Sequence, residues 1–224
     1  NHRSFQNVEI LTNCSNLTSL DLGRCHALQN VDGLANCTKL TSLNLSSCGS
    51  LQNVDGLANC TKLTSLDLEG CDSLQNVDGL ASCTKLTSLD LGGCDSLQNV
   101  DGLANCTKLT SLDLGYSDFT SIPGGLDLLP NLTDLDLSFC NSLQNVDGLA
   151  NCTKLTSLDL SCYRWSDEQN VLQNVNGLKN LTSLTSLNLN GRDSLQVQYM
   201  TSEMTTREQV SAYQDKIRIV MALK

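Results

Sequence analysis

One tetrapeptide, LTSL, recurs along almost the whole chain and constrains the fold more than any other feature. Its first leucine stands at residues 17, 40, 63, 86, 109, 132, 155 and 184, with Asp134 replacing the serine in the sixth copy. The first seven copies are 23 residues apart, and the last follows after 29, as if one unit carried a six-residue insertion. A period of this length is typical of solenoids, in which each unit contacts only its neighbours.

Each unit is predicted to contain a short strand and an irregular return segment. One unit reads LTSLDLGGCDSLQNVDGLANCTK, from Leu86 to Lys108. Its first leucines alternate with polar residues, which is typical of a strand with one buried face. Leu97, Val100 and Leu103 then lie three apart and bring the chain back over the core. Because one unit cannot bury these side chains alone, stacked units should form a parallel sheet.

The pattern LxxLxLxx, most often followed by cysteine, is repeated eight times and resembles the leucine-rich-repeat family over about residues 5–195. The 23-residue unit is similar to the cysteine-containing repeats of some trypanosome and bacterial proteins. The resemblance implies an α/β-class solenoid, a right-handed arc whose parallel sheet lies on the concave face. It also implies protein binding on that face, but not which partner, since function depends on particular sites rather than on the fold.

One unit departs from the others. From Leu109 it reads LTSLDLGYSDFTSIPGGLDLLPN, in which Ser117 replaces the cysteine and Pro123 and Pro130 appear. Proline fixes the backbone and removes an N–H donor. The convex side is therefore expected to change shape locally in this unit.

The repeat array is expected to occupy residues 1–195 as about eight strands, with a truncated unit at its N-terminal end. The second half of a repeat is represented there by Phe5, Val8, Leu11 and Cys14. Solenoid ends need a cover for their exposed core. We therefore expect either a piece of a longer array or a degenerate N-terminal cap.

Residues 196–224 leave the repeat pattern and are expected to form a C-terminal cap, with a helix near residues 205–224. Thr205 and Glu208 have the spacing of a capping box. Apolar residues then recur at helical spacing, namely Val210, Tyr213, Ile217 and Val220. Such an amphipathic helix would close the solenoid, and a partner-binding helix is the alternative.

Eleven of the twelve cysteines fall into two columns, Cys162 stands apart, and the cysteines are interpreted as buried thiols. One column follows the strands, with Cys25, Cys48, Cys71, Cys94 and Cys140; the other precedes them, with Cys14, Cys37, Cys60, Cys83, Cys106 and Cys152. Free cysteine packs as a small hydrophobe with a weak donor. Spacings near 11 and 12 without a CxxC pair do not favour zinc. We expect no metal or cofactor, with disulfides as the alternative. Unpaired thiols favour a cytoplasmic setting, with a cell-surface or secreted one as alternative.

Polar residues beside the inward leucines predict a row of carboxylates on the concave face. Neighbours about 5 Å apart would repel by about 0.8 kcal/mol even in water. The row either attracts a basic protein surface or is a solvated face that was copied with the repeat. Calcium bridging between the carboxylates is a third alternative, which would need six to eight oxygen ligands. On this face we predict partner-binding residues at Asp67, Asp90, Asp113, Asp134, Asp136 and Asp159.

Aromatic residues in the C-terminal half predict a second part of the binding surface. Tyr116 and Phe139 share one column, two residues past the last strand leucine, and the insertion contains Tyr163, Arg164 and Trp165. These residue types are enriched in binding hot spots. They form either an aromatic rim that contacts a partner or packing within the altered repeat.

Charge and motifs favour a binding protein over an enzyme. The net charge of −10 disfavours nucleic acid, and the sequence has no apolar run long enough to span a membrane. It has no nucleophile–base pattern, phosphate loop or HExxH, and only two histidines. We predict a protein-interaction module, monomeric as a fragment, that binds a partner with a basic surface. The alternative is a structural or adhesive surface protein in which the array acts as a spacer.

Overall fold

The computed structural model describes residues 5–162, 171–172, 174–192 and 203–222, with side chains in the last range described from 204 to 215. Its described strands form one sheet in chain order, and the first eight are parallel. They are β1 Ser19–Asp21, β2 Ser42–Asn44, β3 Ser65–Asp67, β4 Ser88–Asp90, β5 Ser111–Asp113, β6 Asp134–Asp136, β7 Ser157–Asp159 and β8 Ser186–Asn188. The predicted parallel solenoid is thereby confirmed.

The strands are in register, so equivalent residues of neighbouring repeats are directly paired. Leu66 pairs with Leu89, and Asp67 pairs with Asp90. The central leucine of each strand points into the core and is at most 3% exposed from β2 to β8. The flanking residues face outward because successive side chains alternate across a strand. Identical repeats therefore produce continuous rows of one residue type.

The return segments form 3₁₀ turns, most of which contain a glycine that approaches the preceding repeat closely. Most of these turns contain the DGL sequence, as in Asp32–Leu34, Asp55–Leu57, Asp78–Leu80, Asp101–Leu103 and Asp147–Leu149, and the others are Glu9–Leu11, Leu126–Leu128 and Asn176–Asn180. A Cβ atom on Gly79 would lie 2.1 Å from the carbonyl oxygen of Val54 in the preceding repeat. Only glycine permits this approach, which lets the return segments stack.

The cysteine columns line the core as free thiols. All but Cys14 are buried. The Cys71 Sγ donates to the Leu45 carbonyl at 3.3 Å, and the Cys94 Sγ donates to the Leu68 carbonyl at the same distance. Burial raises the pKa of Cys94 to about 12. A neutral thiol here fills a small space and gives each of these carbonyls a second donor, since Leu45 O and Leu68 O already accept the backbone N–H of Cys48 and Cys71.

The unit from Leu109 differs from its neighbours as its sequence suggests. Ser117 takes the cysteine position and is 2% exposed. Its 3₁₀ turn, Leu126–Leu128, begins after Gly125, which has a φ of 91°. A Cβ atom on Gly148 would meet the Ile122 side chain at 2.8 Å instead of a carbonyl. The convex side is thus packed by side chains at this point.

The C-terminal end of the sheet is covered by a helix, as predicted. A two-residue strand, β9 (Glu203–Met204), pairs antiparallel with β8, and α1 (Arg207–Ala222) follows. Gln214 is 2% exposed and its Nε2 donates to the carbonyls of Leu178 and Leu181 at 2.8 and 3.0 Å. No described helix combines the length and the hydropathy that a membrane span needs.

The helix begins one residue later than the capping pattern predicted. Thr206, and not Thr205, accepts a bond through Oγ1 from the Gln209 N–H, at 3.3 Å. The Gln209 side chain in turn accepts the N–H of Thr206 at 3.2 Å. This reciprocal pair is a capping box in which glutamine replaces the expected glutamate. The proposed Thr205–Glu208 box was therefore wrong by one position.

Candidate functional site

The aspartates at the strand ends hold the turn that follows each strand. The Oδ1 atoms of Asp90, Asp113 and Asp136 accept the N–H two residues later, at 2.9, 2.8 and 2.7 Å. Asn44 makes the same bond to Ser46 at 2.8 Å. The turn therefore requires an oxygen acceptor and not a charge. In each aspartate the bond occupies one of two carboxylate oxygens.

Five consecutive repeats, β3 to β7, present such a carboxylate, and we call the first four, Asp67, Asp90, Asp113 and Asp136, the aspartate row. The row ends at Asn44 on one side. On the other side, Asp159 differs from the four, because its Oδ2 accepts a hydrogen bond from Asn188 Nδ2 at 2.8 Å and is therefore already occupied. Asp21 is separated from the row by Asn44. The ladder expected from the sequence also contained Asp21 and Asp159, and the aspartate row is the part of it in which neighbouring carboxylates follow one another without a bond to an asparagine amide.

The electrostatic cost of the row is greatest at its centre. Burial, followed by repulsion from Asp136, Asp90 and Glu69, raises the pKa of Asp113 to about 6, although the Gly115 N–H acts against the shift. The pKa of Asp90 is also raised, mainly by burial and then by acidic neighbours. Both carboxylates are held in the fold at a cost that a cation would relieve.

Asp134 does not belong to the row. It pairs with Ser111 and Ser157 in the neighbouring strands and so stands in the serine row. Its Oδ2 accepts the Thr133 hydroxyl at 2.6 Å. It remains a predicted contact, but at a position separate from the four carboxylates.

Tyr116 and Phe139 come together as the sequence predicted. Their rings stack with centroids 4.4 Å apart and an interplanar angle of 28°. Tyr116 is 53% exposed, whereas Phe139 is half-buried beneath this surface. Tyr163, Arg164 and Trp165 lie outside the described residues, so their place in an aromatic rim stays a prediction.

The rings belong to a column of residues with left-handed backbone, just past the strands. Its members are Arg24, Ser47, Gly70, Gly93, Tyr116 and Phe139, with φ between 58° and 67°. Two adjacent repeats therefore have no side chain there, immediately before the tyrosine. We call the resulting gap the glycine notch, formed by Gly70, Gly92 and Gly93 and ended by Tyr116.

The glycine notch lies in an open cavity of about 500 Å³. The cavity is also lined by Asp90, Asp113 and Asp136 of the row and by a second set of carboxylates, Glu69, Asp72 and Asp95. Sequence reasoning missed the notch and this second set. The signal was present, since glycine occupies this column in two successive repeats, at Gly70 and Gly93, and otherwise only at Gly191 in the eighth repeat.

The acidic residues do not converge on a common point. Within the described part of the chain, no group of three or more histidine, cysteine or acidic side chains is arranged to hold a metal ion. Calcium would need six to eight oxygens at 2.3–2.6 Å. The parallel strands instead distribute the carboxylates along a line about 4.8 Å apart. This arrangement suits an extended partner with its own charges.

Comparison with known proteins supports the repeat interpretation. A model of the family described as Leucine Rich repeat matches residues 13–35, 36–58, 59–81, 82–104, 105–121 and 129–150, more than half of the chain. Among curated protein sequences there is no significant match.

Solved structures share the fold. Internalin inlF of Listeria monocytogenes is 26% identical with a TM-score of 0.62; the match covers 84% of this chain and 62% of the internalin. Internalin C2 of the same organism is 25% identical with a TM-score of 0.63, over 80% and 73%. A leucine-rich-repeat protein of Leptospira interrogans, LIC12759, is 19% identical with a TM-score of 0.62, over 85% and 53%, which shows the fold alone.

The chain thus spans less than two thirds of the inlF structure that it matches. Proteins built from such repeats generally act as interaction modules rather than as enzymes, because stacking creates an extended binding surface without a deep pocket. The family match and the register of the parallel sheet agree. This chain is a member of the leucine-rich-repeat family.

Proposed function

We propose that the chain binds a protein partner with a basic surface through the aspartate row and the neighbouring aromatic pair. The observation that carries the proposal is the row itself: four carboxylates, paired in register across β3 to β6, face outward. The charged side chains that act on the pKa values of Asp90 and Asp113 are all acidic among the described residues.

Electrostatics favour a cationic partner over an anionic one. The net charge of −10 repels polyanions, so nucleic acid is not the expected ligand. A basic protein surface would be attracted over a long range and would lower the repulsion within the row. The exposed ring of Tyr116 adds the kind of contact that is enriched in binding hot spots.

A peptide-display experiment tests the proposal. The full chain is immobilised and exposed to a pool of random peptides of one length. We expect the retained peptides to be enriched in arginine and lysine. The triple substitution Asp90→Asn, Asp113→Asn and Asp136→Asn should weaken their binding by at least about tenfold, while the asparagines keep the turn bonds.

A matched control removes three charges elsewhere. Asp32→Asn, Asp55→Asn and Asp78→Asn alter exposed turn residues by the same total charge. If binding weakens equally in both triple variants, the net charge of the protein, and not the aspartate row, would account for the effect. Absence of any enriched basic peptide would refute the proposal and favour the alternative, in which the array is a spacer.

A further inference from the structure

We propose that the glycine notch is a seat for one arginine side chain of the partner, with the guanidinium between carboxylates of adjacent repeats and against Tyr116. This inference rests on the proposed function and specifies its central contact. It follows from three features that coincide in space: a gap without side chains, carboxylates along the gap, and an exposed aromatic ring at its end.

The gap is a property of two glycines and not of the backbone. Ser47, Tyr116 and Phe139 occupy the same column with a φ of 58°, so this conformation accepts side chains. A Cβ atom on Gly93 would find its nearest neighbour, the Gly70 nitrogen, at 3.7 Å, which is an ordinary contact. Steric crowding therefore does not demand glycine at residue 93. The space above it is open to a ligand.

Carboxylates line this space from adjacent repeats. The position of a Cβ atom on Gly92 lies 3.3 Å from both Asp90 Oδ1 and Asp113 Oδ1. These oxygens accept turn N–H groups, and the turn bonds leave the Oδ2 atom of each carboxylate to accept from an incoming donor. Asp72 and Asp95 are exposed and line the same cavity. Carboxylates on successive strands match a group with several donors better than a point charge.

The ring at the end of the gap selects among cations. Guanidinium groups are planar, have five N–H donors and stack on aromatic faces. Tyr116 is held by stacking on Phe139, so its exposed surface is fixed in orientation. A metal ion would gain nothing from the ring and would lack converging ligands in the described residues. The arrangement therefore fits arginine better than lysine or a divalent cation.

The test uses the full chain and a short glycine–serine peptide that contains one arginine. Its counterparts carry lysine or the neutral isostere citrulline at the same position. Titrations are followed by the backbone amide resonances of Gly92, Gly93 and Tyr116. We expect saturable shifts with the arginine peptide, weaker binding with lysine, and none with citrulline.

Filling the notch without changing its charge gives the decisive variant. Gly93→Tyr keeps every carboxylate and places a side chain that the same column already accepts at Tyr116. We expect it to weaken binding of the arginine peptide by at least about tenfold. Arg24→Tyr adds the same ring to the same column outside the notch and should bind at least as tightly as the wild type. If Gly93→Tyr fails to fold, Tyr116→Ser replaces it, with the same direction expected.

The outcomes separate this inference from the function on which it rests. Equal binding of citrulline and arginine peptides, no saturable binding, or unchanged affinity of Gly93→Tyr would each overturn the arginine seat. If displayed basic peptides still depend on the three aspartates, the proposed function stands without the seat. If displayed basic peptides do not bind at all, the proposed function fails as well.

Discussion

Replacing Asp113 by asparagine should stabilise the protein at neutral pH. Asparagine retains an Oδ1 acceptor for the Gly115 N–H, as Asn44 does for Ser46 and Asn188 does for Asn190 at equivalent positions. What the substitution removes is a partly buried charge between two other carboxylates. The change therefore isolates the cost of ionisation from the benefit of the turn bond.

The magnitude follows from the pKa of Asp113. A rise from 3.8 to about 6 corresponds to an upper limit of about 3 kcal/mol. Because Asp113 is only partly buried, solvent screening reduces this value. Repulsion from Asp90 and Asp136, roughly 5 Å away on either side, contributes about 0.8 kcal/mol each in water. We expect a gain of about 1–2 kcal/mol in the free energy of unfolding.

The pH dependence identifies the cause. The pKa is higher in the folded state, so the folded protein binds the proton more tightly than the unfolded chain does. The cost of ionisation is absent below about pH 4 and complete above about pH 7. The gain from Asp113→Asn should therefore appear between these limits as the pH rises.

Urea unfolding followed by circular dichroism, at pH 4 and pH 8, measures this gain. Asp55→Asn, an identical change at an exposed turn residue, serves as the control for net charge. A gain that is equal at both pH values would show that ionisation is not its source. A loss of stability at pH 8 would refute the reasoning, because it would mean that the fold needs the charge.

Three further predictions concern the core and its cover. Gly79→Ala should lower the free energy of unfolding by about 3 kcal/mol, since the added Cβ atom would overlap the Val54 carbonyl. The control, Gly49→Ala, should lower it by less than about 0.5 kcal/mol, because the Cβ atom there would lie 3.5 Å from its nearest neighbour, Asp72 Oδ2. The buried Tyr213 hydroxyl has no hydrogen-bond partner among the described residues, so Tyr213→Phe should leave the melting temperature unchanged or raise it. Alkylation should label Cys14 first in the native protein and all twelve thiols, without reductant, after unfolding.

The repeat allowed most of the fold to be predicted. A period of 23 residues fixes which residues are equivalent, and parallel stacking then brings equivalents into register, so Leu66 opposite Leu89 follows from the sequence. The thiol-to-carbonyl bonds were predictable in kind, because buried cysteine offers a weak donor. The helix onset was missed by one residue, since Thr205 and Thr206 both fit a capping position and only packing decides between them.

Less of the candidate site than of the fold could be predicted from the sequence. Alternation predicted that the strand aspartates face outward, and the column spacing predicted that Tyr116 meets Phe139. The glycine notch was not predicted, because glycine at residues 70 and 93 is what a turn with a left-handed backbone would normally contain. The structure shows that four equivalent residues adopt the same backbone conformation with side chains, so the turn does not need glycine there. The hydrogen bond from Asn188 to Asp159 was also missed, since it depends on the orientation of an amide group on the neighbouring strand.

The distribution of asparagine and aspartate bears on whether the row is only a solvated face. Asn44 and Asn188 form the strand-end bond as the aspartates do, so the fold can be built with an amide. At Asp90 and Asp113, burial and then repulsion from acidic neighbours raise the pKa, so the ionised carboxylates oppose folding. Both residues line the cavity in which the two glycines leave space beside Tyr116. A face copied only for solubility would place its charges where water screens them, as at the exposed Asp32 and Asp55. Charge held at a cost beside an open notch supports the proposed binding surface, because a bound cation would recover that cost on association.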